Sequence, residues 1–240
     1  MKEPGRAPDR RSTLAHMREL LERSRTLRRK VVVSRELSGV RRLLAEYQAQ
    51  RLAETYADLA AQPRYRPAVG FFLKDLYGPV DYGQRDADIE RVFPVMSRVL
   101  SGPALESITR ALELRTISEE LDARMAEILG KDLGVRDALD AQTYEEAFRR
   151  CDDRPGRLRQ IELIEQIGRT LDQVVNHPVT YATVMAARVP ARLAGFGDLQ
   201  NFIERGLRAF RHMHGAKEFI AIVGERERGM LDRVCARRST

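Results

Sequence analysis

The chain has 240 residues, of which 43% are apolar and 32% are charged, and it carries a net charge of +7 at pH 7. These fractions are typical of a soluble globular protein, and the length allows one large domain or two small ones. No apolar run approaches the roughly 18–20 residues of a membrane span, and no apolar stretch follows the basic N-terminus. The sequence therefore predicts neither a helical membrane protein nor a secretory signal.

The positive charge is concentrated at the N-terminus. Residues 1–42 contain 13 Lys and Arg against 5 Asp and Glu, whereas the rest of the chain is nearly balanced. We therefore predict a basic arm or helix, partly flexible, over 1–33 and a helical domain over 34–240. The candidate phosphate-contacting side chains of the arm are Arg25, Arg28, Arg29 and Lys30. Since no aromatic residues interleave with them, a solvated basic helix is favoured over a nucleic-acid site.

The first elements are predicted to be helices. Leu14, Met17 and Leu21 have the spacing of one helix face and predict a short first helix. Residues 34–61, rich in Ala, Arg, Glu and Leu, predict a long second helix that Pro63 closes.

The only run of three β-branched residues lies at 31–33, and two further helical patterns follow Pro63. Three valines are too few and too isolated to start a sheet. Residues 66–77 predict a helix that ends at Gly78, because glycine accepts the left-handed backbone of a helix C-terminus. Residues 84–100 predict another helix, which Pro94 kinks or breaks.

The longest clean helical pattern covers residues 103–129, and Gly130 is predicted to end it. After it, Thr143 and Glu146 have the spacing of a capping box, which predicts the start of a short helix running through Cys151.

The C-terminal half continues in the same way. Helices are predicted over 158–174, from His177 to a stop before Pro190, over 199–213, and over 219–234. No period repeats, so a solenoid is not expected. The sequence predicts an all-α protein: a single bundle of about nine or ten mostly antiparallel helices with short loops.

Catalytic and metal-binding patterns are scarce. None of the four histidines has a Glu three residues before it, which argues against a di-iron bundle. Asp86, Asp88 and Glu90 lack the glycine and the closing glutamate of a calcium loop. No phosphate-binding loop or hydrolase nucleophile motif is present. Cys151 and Cys235 match no metal or redox spacing, so we expect reduced thiols in a cytoplasmic protein, with no metal and no cofactor.

Two single residues have predicted environments. Cys151 precedes Asp152 and Asp153, and negative neighbours are expected to raise the pKa of its thiol. His212 lies near a predicted helix end, where an imidazole interacts favourably with the helix dipole, and this interpretation is favoured over metal ligation.

The segment 71–88, FFLKDLYGPVDYGQRDAD, differs in composition from the helices on either side. The favoured interpretation is a structural helix–loop–helix corner with Arg–Asp pairs and bonded tyrosine hydroxyls. The alternative is a small polar pocket for a cationic or hydroxylated ligand, or for an acid–base pair. The candidate pocket residues are Asp75, Tyr77, Tyr82, Arg85 and Asp86.

The combination of FFLKDLYG, the later DYGQRD and the late GLRAFRHMHGAKEFI and ERERGMLDR resembles a family of uncharacterised bacterial helical proteins. The resemblance covers about residues 38–235 and leaves the basic arm outside. It implies a helical fold and shared importance of the corner and the last two helices, and it implies no reaction.

Two classes of function follow from the residues. The first is a non-catalytic binding or regulatory module acting through contacts with a protein partner or a second copy, and Gly224 and Gly229 in the last helix favour it by allowing close helix approach. The second is an enzyme or small-ligand-binding protein that uses the pocket at 71–88. The first is favoured because no nucleophile or ligand set accompanies the corner, and whether the chain is an enzyme is left open.

Overall fold

The computed structural model describes residues 9–33, 37–76, 102–193, 195 and 197–236, and all regular secondary structure in these residues is helical. The helices of this part make many contacts with one another, so the all-α prediction is confirmed. The helices are α1 Arg10–Val33, α2 Ser38–Thr55, α3 Ala57–Ala61, α4 Arg66–Phe71, α5 Gly102–Glu127, α6 Ala141–Arg150, α7 Arg154–Asn176, α8 Pro178–Ala186, α9 Arg188–Leu193, α10 Gly197–His212 and α11 Lys217–Ala236.

The first helix is longer than the sequence predicts. One helix runs from Arg10 to Val33, and its last turn contains the three valines. Met17 and Leu20 are fully buried in a cluster with Leu105 and Leu112 of α5. The packing of this apolar face against α5 extends the helix beyond the short periodic segment, because most helix stability comes from tertiary contact. The division of the chain at residue 33 stays a prediction.

Two larger apolar clusters form the rest of the core, and α7 and α11 contribute to both. Ile161 of α7 and Leu231 of α11 belong to the cluster that includes α2, α5 and α6. Val175 of α7 and Phe219 of α11 belong to the cluster that includes α4 and α10. The pair α7 and α11 therefore connects the two halves of the core.

Glycines allow α7 and α11 to approach closely. A Cβ on Gly168 would lie 2.9 Å from Cγ1 of Ile220, and one on Gly224 would overlap Oε1 of Glu165. The predicted close approach at Gly224 is thus confirmed. At Gly229 the nearest described atom belongs to a side chain of its own helix, at 3.6 Å, so close approach there stays a prediction.

Several predicted boundaries differ from the structure. The helix predicted over 34–61 breaks at Tyr56, which separates α2 from α3. The capping box is wrong: Asp140 is the N-cap of α6, and its Oδ1 accepts a hydrogen bond of 2.7 Å from the backbone N–H of Thr143. Aspartate is at least as strong an N-cap as threonine, and Asp140 lies three residues before Thr143.

Two helices continue as π-helical turns, α4 over Phe72–Leu76 and α5 over Ile128–Asp132. Gly130 therefore lies inside a helical segment and does not end it. Pro190 also lies inside a helix, in the first turn of α9, where its missing N–H costs little. The helix predicted over 84–100 falls outside the described residues. In the part of the chain that the structure does describe, no helix is long and apolar enough to cross a membrane.

Candidate functional site

The first residues of the predicted corner at 71–88 belong to the core. Phe71 is buried, with its ring centroid 5.3 Å from that of Phe202. The ring of Phe71 also lies against Gly206, where an added Cβ would meet its Cζ at 2.9 Å. Phe72 packs edge-on against Phe219, with centroids 5.9 Å apart. These contacts between α4 and helices α10 and α11 fix the start of the corner.

The polar part of the corner lies outside the structural description. Asp75 is in the π-helical turn that follows α4, and its side chain is not among the described ones. Tyr77, Tyr82, Arg85 and Asp86 lie outside the described residues. The pocket and the structural corner both stay predictions.

Residues 10–33 of the predicted basic arm form α1. Arg23 donates two hydrogen bonds to the carboxylate of Glu120 on α5, at 2.9 Å and 2.7 Å. Arg25 is exposed and lies 3.3 Å from a carboxylate oxygen of Glu22 on its own helix. Part of the positive charge is thus neutralised within the protein, and a nucleic-acid role for the arm stays a prediction. Three candidates lie in the last turns of α1 with side chains outside the description: Arg28, Arg29 and Lys30.

A different surface has the most unusual composition in the described structure. Val179 is 70% exposed, Val189 63% and Leu193 85%, and these are the large apolar side chains that the described residues leave in solvent. We call these three residues, on α8 and α9, the α8–α9 surface. Single exposed apolar residues are ordinary, whereas three on two consecutive short helices are an unusual concentration.

The sequence contains a signal for this surface that the helical periodicity did not reveal. Residues 173–197 contain no Asp or Glu, in a chain where charged residues make up 32%. Such an acid-free stretch is normally interpreted as buried. Here its larger part forms α8 and α9, in which no described residue is buried.

The α8–α9 surface is held in place by a buried carboxylate on α10. The side chain of Glu204 is 4% exposed, and its Oε1 accepts a hydrogen bond of 2.8 Å from Nε of Arg188 on α9. Arg208 donates to Oε2 of Glu204 at 2.8 Å. The amide of Gln200 donates both to Glu204 and to the carbonyl of Val184 on α8, at 3.2 Å and 2.9 Å. Helices α8, α9 and α10 are thus joined through one polar network.

The same network shifts the titration of Glu204. The hydrogen bond from Arg188, with smaller contributions from Gln200 and Arg208, lowers the pKa of Glu204 from 4.5 to about 2. The carboxylate therefore stays ionised over the whole neutral and mildly acidic range. A charged, fully bonded group under an apolar surface fixes the geometry of that surface.

The charge around the α8–α9 surface is positive. The stretch 173–197 contains two arginines, Arg188 and Arg192, and one histidine. The ring of His177 accepts a hydrogen bond from the backbone N–H of Thr180 at the start of α8. Arg192 lies 3.5 Å from the side-chain oxygen of Asn201 and is exposed. The surface therefore combines apolar side chains with cations and contains no carboxylate of its own.

Nucleophilic and metal-ligating groups do not converge in the described part of the chain. No group of three or more His, Cys, Asp or Glu side chains lies close enough to hold a metal there. His212 ends α10, and its Nε2 lies 3.1 Å from the carbonyl of Pro63. Burial raises the pKa of the Cys151 thiol, and Asp153 raises it further. The expected direction is correct, although desolvation is the main cause and the neighbouring acid a minor one.

The comparisons with known proteins give one family. The family model described as a domain of unknown function (DUF8198) matches residues 6–240. No curated protein and no solved structure matches the chain. Because the match begins at residue 6, the expectation that the basic arm lies outside the family is wrong. The bacterial origin of the family and the role of the FFLKDLYG motif stay predictions.

Proposed function

Because the chain belongs to the DUF8198 family, whose function is unknown, we propose its function from its own residues: a non-catalytic binding module that acts through protein–protein contacts. The observation that carries this proposal is the exposure of Val179, Val189 and Leu193 on a surface held by the Glu204 network. Fully burying one such side chain is worth about 1.5–3 kcal/mol, so a partner covering all three would gain a substantial part of its affinity there.

The charge pattern defines the chemistry of the partner. Since Arg192 is exposed and residues 173–197 contain no Asp or Glu, a complementary surface is apolar at its centre and acidic at its rim. An amphipathic helix with Leu or Ile on one face and Asp or Glu beside it meets both conditions. A second copy of the same surface would place arginine opposite arginine, which disfavours a symmetric dimer through this contact.

An anionic membrane is a weaker fit for the same surface. Interfacial helices present long apolar faces, and lipid-binding segments usually contain about 4–8 Lys or Arg. Helices α8 and α9 are short, and the stretch contains two arginines, one of which is already bonded to Glu204. A folded partner that buries a compact patch is therefore favoured.

The test uses site-specific crosslinking in the organism that produces the protein. The photoreactive residue p-benzoylphenylalanine replaces Leu193 in the full chain, and Arg42, exposed on α2, is the matched control position. We expect one dominant crosslinked protein from position 193 that position 42 does not give. The crosslinked peptide should contain an apolar helix flanked by Asp or Glu.

The purified partner then decides the proposal. V189E and L193E should each weaken its binding by at least about tenfold, because a buried carboxylate would replace an apolar contact, whereas R42E should leave it unchanged. Equal binding by all variants would contradict the proposal. Sedimentation of L193E and wild type, and flotation with phosphatidylserine vesicles, identify self-association or lipid binding as the alternative outcomes.

The cytoplasmic location is part of the proposal. Cys151 and Cys235 are both free, as expected for a reducing compartment. A regulatory role would follow if the partner's activity changed on binding.

A further inference from the structure

A cleft of about 270 Å³ lies between α2, α6 and α11. It shares no residue with the α8–α9 surface. Its walls combine two tyrosines with three arginines, and part of its lining is apolar. The residues that matter for its chemistry are Tyr47, Arg51, Tyr144, Arg226, Met230 and Arg233.

The aromatic wall of the cleft is a tyrosine pair. The rings of Tyr47 and Tyr144 have centroids 4.5 Å apart and planes inclined by 31°. Tyr144 is buried, and its other side contacts Phe148 of α6 at a centroid distance of 6.2 Å. Tyr144 is therefore fixed by the core and supports Tyr47 above it. Since Met230 lines the same cleft, a planar apolar group has aromatic and thioether surfaces to pack against.

The hydroxyl of Tyr47 is a hydrogen-bond donor at neutral pH. Burial is the main cause that raises the pKa of Tyr47, with Tyr144 adding to it. The phenol therefore stays protonated and favours a hydrogen-bond acceptor in the cleft.

The arginines of the cleft differ in their counter-ions. Arg226 donates both guanidinium arms to the carboxylate of Asp58, at 2.7 Å each. Arg51 lies 3.4 Å from a carboxylate oxygen of Glu227. Arg233 is exposed, and no carboxylate among the described residues pairs with it.

The acidic side of the lining is also neutralised. Glu145 lies 3.8 Å from a guanidinium nitrogen of Arg149 on the same helix. Among the described charges of the cleft, Arg233 thus leaves an excess of one positive charge next to the tyrosine pair. An exposed arginine that pairs with no carboxylate of the described residues, beside an aromatic wall, is suited to an anionic group attached to a ring.

We propose that this cleft binds a small aromatic anion, a carboxylate or phosphate on one or two fused rings. The ring lies against Tyr47 and Met230, and the anionic group accepts hydrogen bonds from Arg233 and from the hydroxyl of Tyr47. The volume of about 270 Å³ lies just below the range of pockets for drug-sized ligands, which favours a small occupant. This ligand site is separate from the α8–α9 surface, and neither role depends on the other.

The test is isothermal titration calorimetry with the full chain and 2-naphthoate. We expect a Kd of about 0.1–1 mM, the affinity of a small ligand of ordinary efficiency per atom. The neutral analogue 2-naphthalenemethanol should bind at least about tenfold more weakly, and acetate should show no binding. Phenyl phosphate and benzoate distinguish a phosphate from a carboxylate preference.

Two variants locate the site. R233Q should weaken 2-naphthoate at least about tenfold, and Y47L should weaken both the acid and the alcohol, because the first removes the charge and the second the ring contact. R42Q on α2, outside the cleft, is the matched control. Unfolding curves check that each variant is folded, and Arg233 is the safer site because its side chain is exposed.

Three results would overturn the proposal. These are the absence of binding by every aromatic acid in folded wild type, equal affinity for acid and alcohol, and unchanged affinity in R233Q. Because L193E leaves the cleft intact, loss of partner binding in that variant with retained 2-naphthoate binding separates the two sites.

Discussion

Glu204 of α10 accepts a hydrogen bond of 2.8 Å from Nε of Arg188 on α9, and the second guanidinium arm bonds its other oxygen. The side chain of Glu204 is buried, with 4% of its surface exposed, whereas that of Arg188 is 40% exposed. A carboxylate removed from water in this way needs its partners, because an unpaired buried charge is strongly destabilising. The position of the α8–α9 surface therefore depends on an ion pair beneath it.

The Glu204 network predicts an acid-sensitive contribution to stability. The pKa of Glu204 is 4.5 for an unperturbed side chain and about 2 in the native state, so the unfolded chain binds the proton first as the pH falls. The contribution is complete above about pH 4.5 and is lost as the pH falls toward 2. We expect E204Q to lose about 1.5–3 kcal/mol at neutral pH and to flatten the stability profile across that window, measured by urea unfolding. E22Q, at an exposed position of α1, is the control, and an unchanged stability profile in E204Q would contradict the prediction.

Two helical glycines predict opposite effects of the same substitution. In G206A the new methyl would meet the Phe71 ring at 2.9 Å, and the resulting strain of about 1–3 kcal/mol exceeds the helix-propensity gain of about 1 kcal/mol. In G229A the nearest atom is 3.6 Å away, so we expect stabilisation by about 0.5–1 kcal/mol. Thermal and urea unfolding of both variants check this. Stabilisation of equal size in both would mean that Phe71 does not pack on Gly206.

The two thiols should differ in reactivity. Cys235 is exposed and Cys151 is buried, and burial raises the pKa of Cys151, which lowers its thiolate fraction at neutral pH. Ellman's reagent should modify one thiol rapidly in the native protein and two after denaturation. C235S should remove the rapid phase and C151S should keep it. A rapid phase that persists in C235S would contradict the burial of Cys151.

The start of α6 predicts a capping effect at Asp140. Its carboxylate accepts from the backbone N–H of Thr143 at 2.7 Å, and this bond lowers the pKa of Asp140. D140A should lower the free energy of unfolding measured with urea, and D140N should recover most of the loss because asparagine also caps. The stability difference between wild type and D140A should shrink in acid as Asp140 becomes protonated. An equal loss in D140A and D140N would rule out a capping role.

The helical class and most helices were predictable because they depend on local spacing. The apolar rows of α7, α10 and α11 repeat every three or four residues, and the structure buries Ile161, Phe210 and Phe219 as that spacing predicts. Boundaries were less predictable where two signals compete. Thr143 and Glu146 have the spacing of a capping box, but Asp140 caps the helix three residues earlier.

The candidate sites could not be predicted because they depend on tertiary neighbours. Helix α8 is apolar enough to be interpreted as buried, and only the arrangement of α8, α9 and α10 leaves Val179 and Leu193 exposed. The residues of the cleft come from three distant parts of the sequence, near positions 50, 145 and 230, so no local pattern reveals it. The polar residues of the corner at 71–88 lie outside the described part of the chain, so the pocket predicted there stays a prediction.

The tyrosine pair of the cleft also provides an intrinsic fluorescence signal for ligand binding. The chain contains no tryptophan, so its ultraviolet emission comes from tyrosine and is not masked by indole. Excitation energy passes readily between rings whose centroids are 4.5 Å apart, so a guest that stacks on Tyr47 alters the light emitted by the pair. Binding of a guest that neither absorbs nor emits in the tyrosine range can therefore be followed in the unlabelled chain by its emission spectrum, with Y47L as the blank.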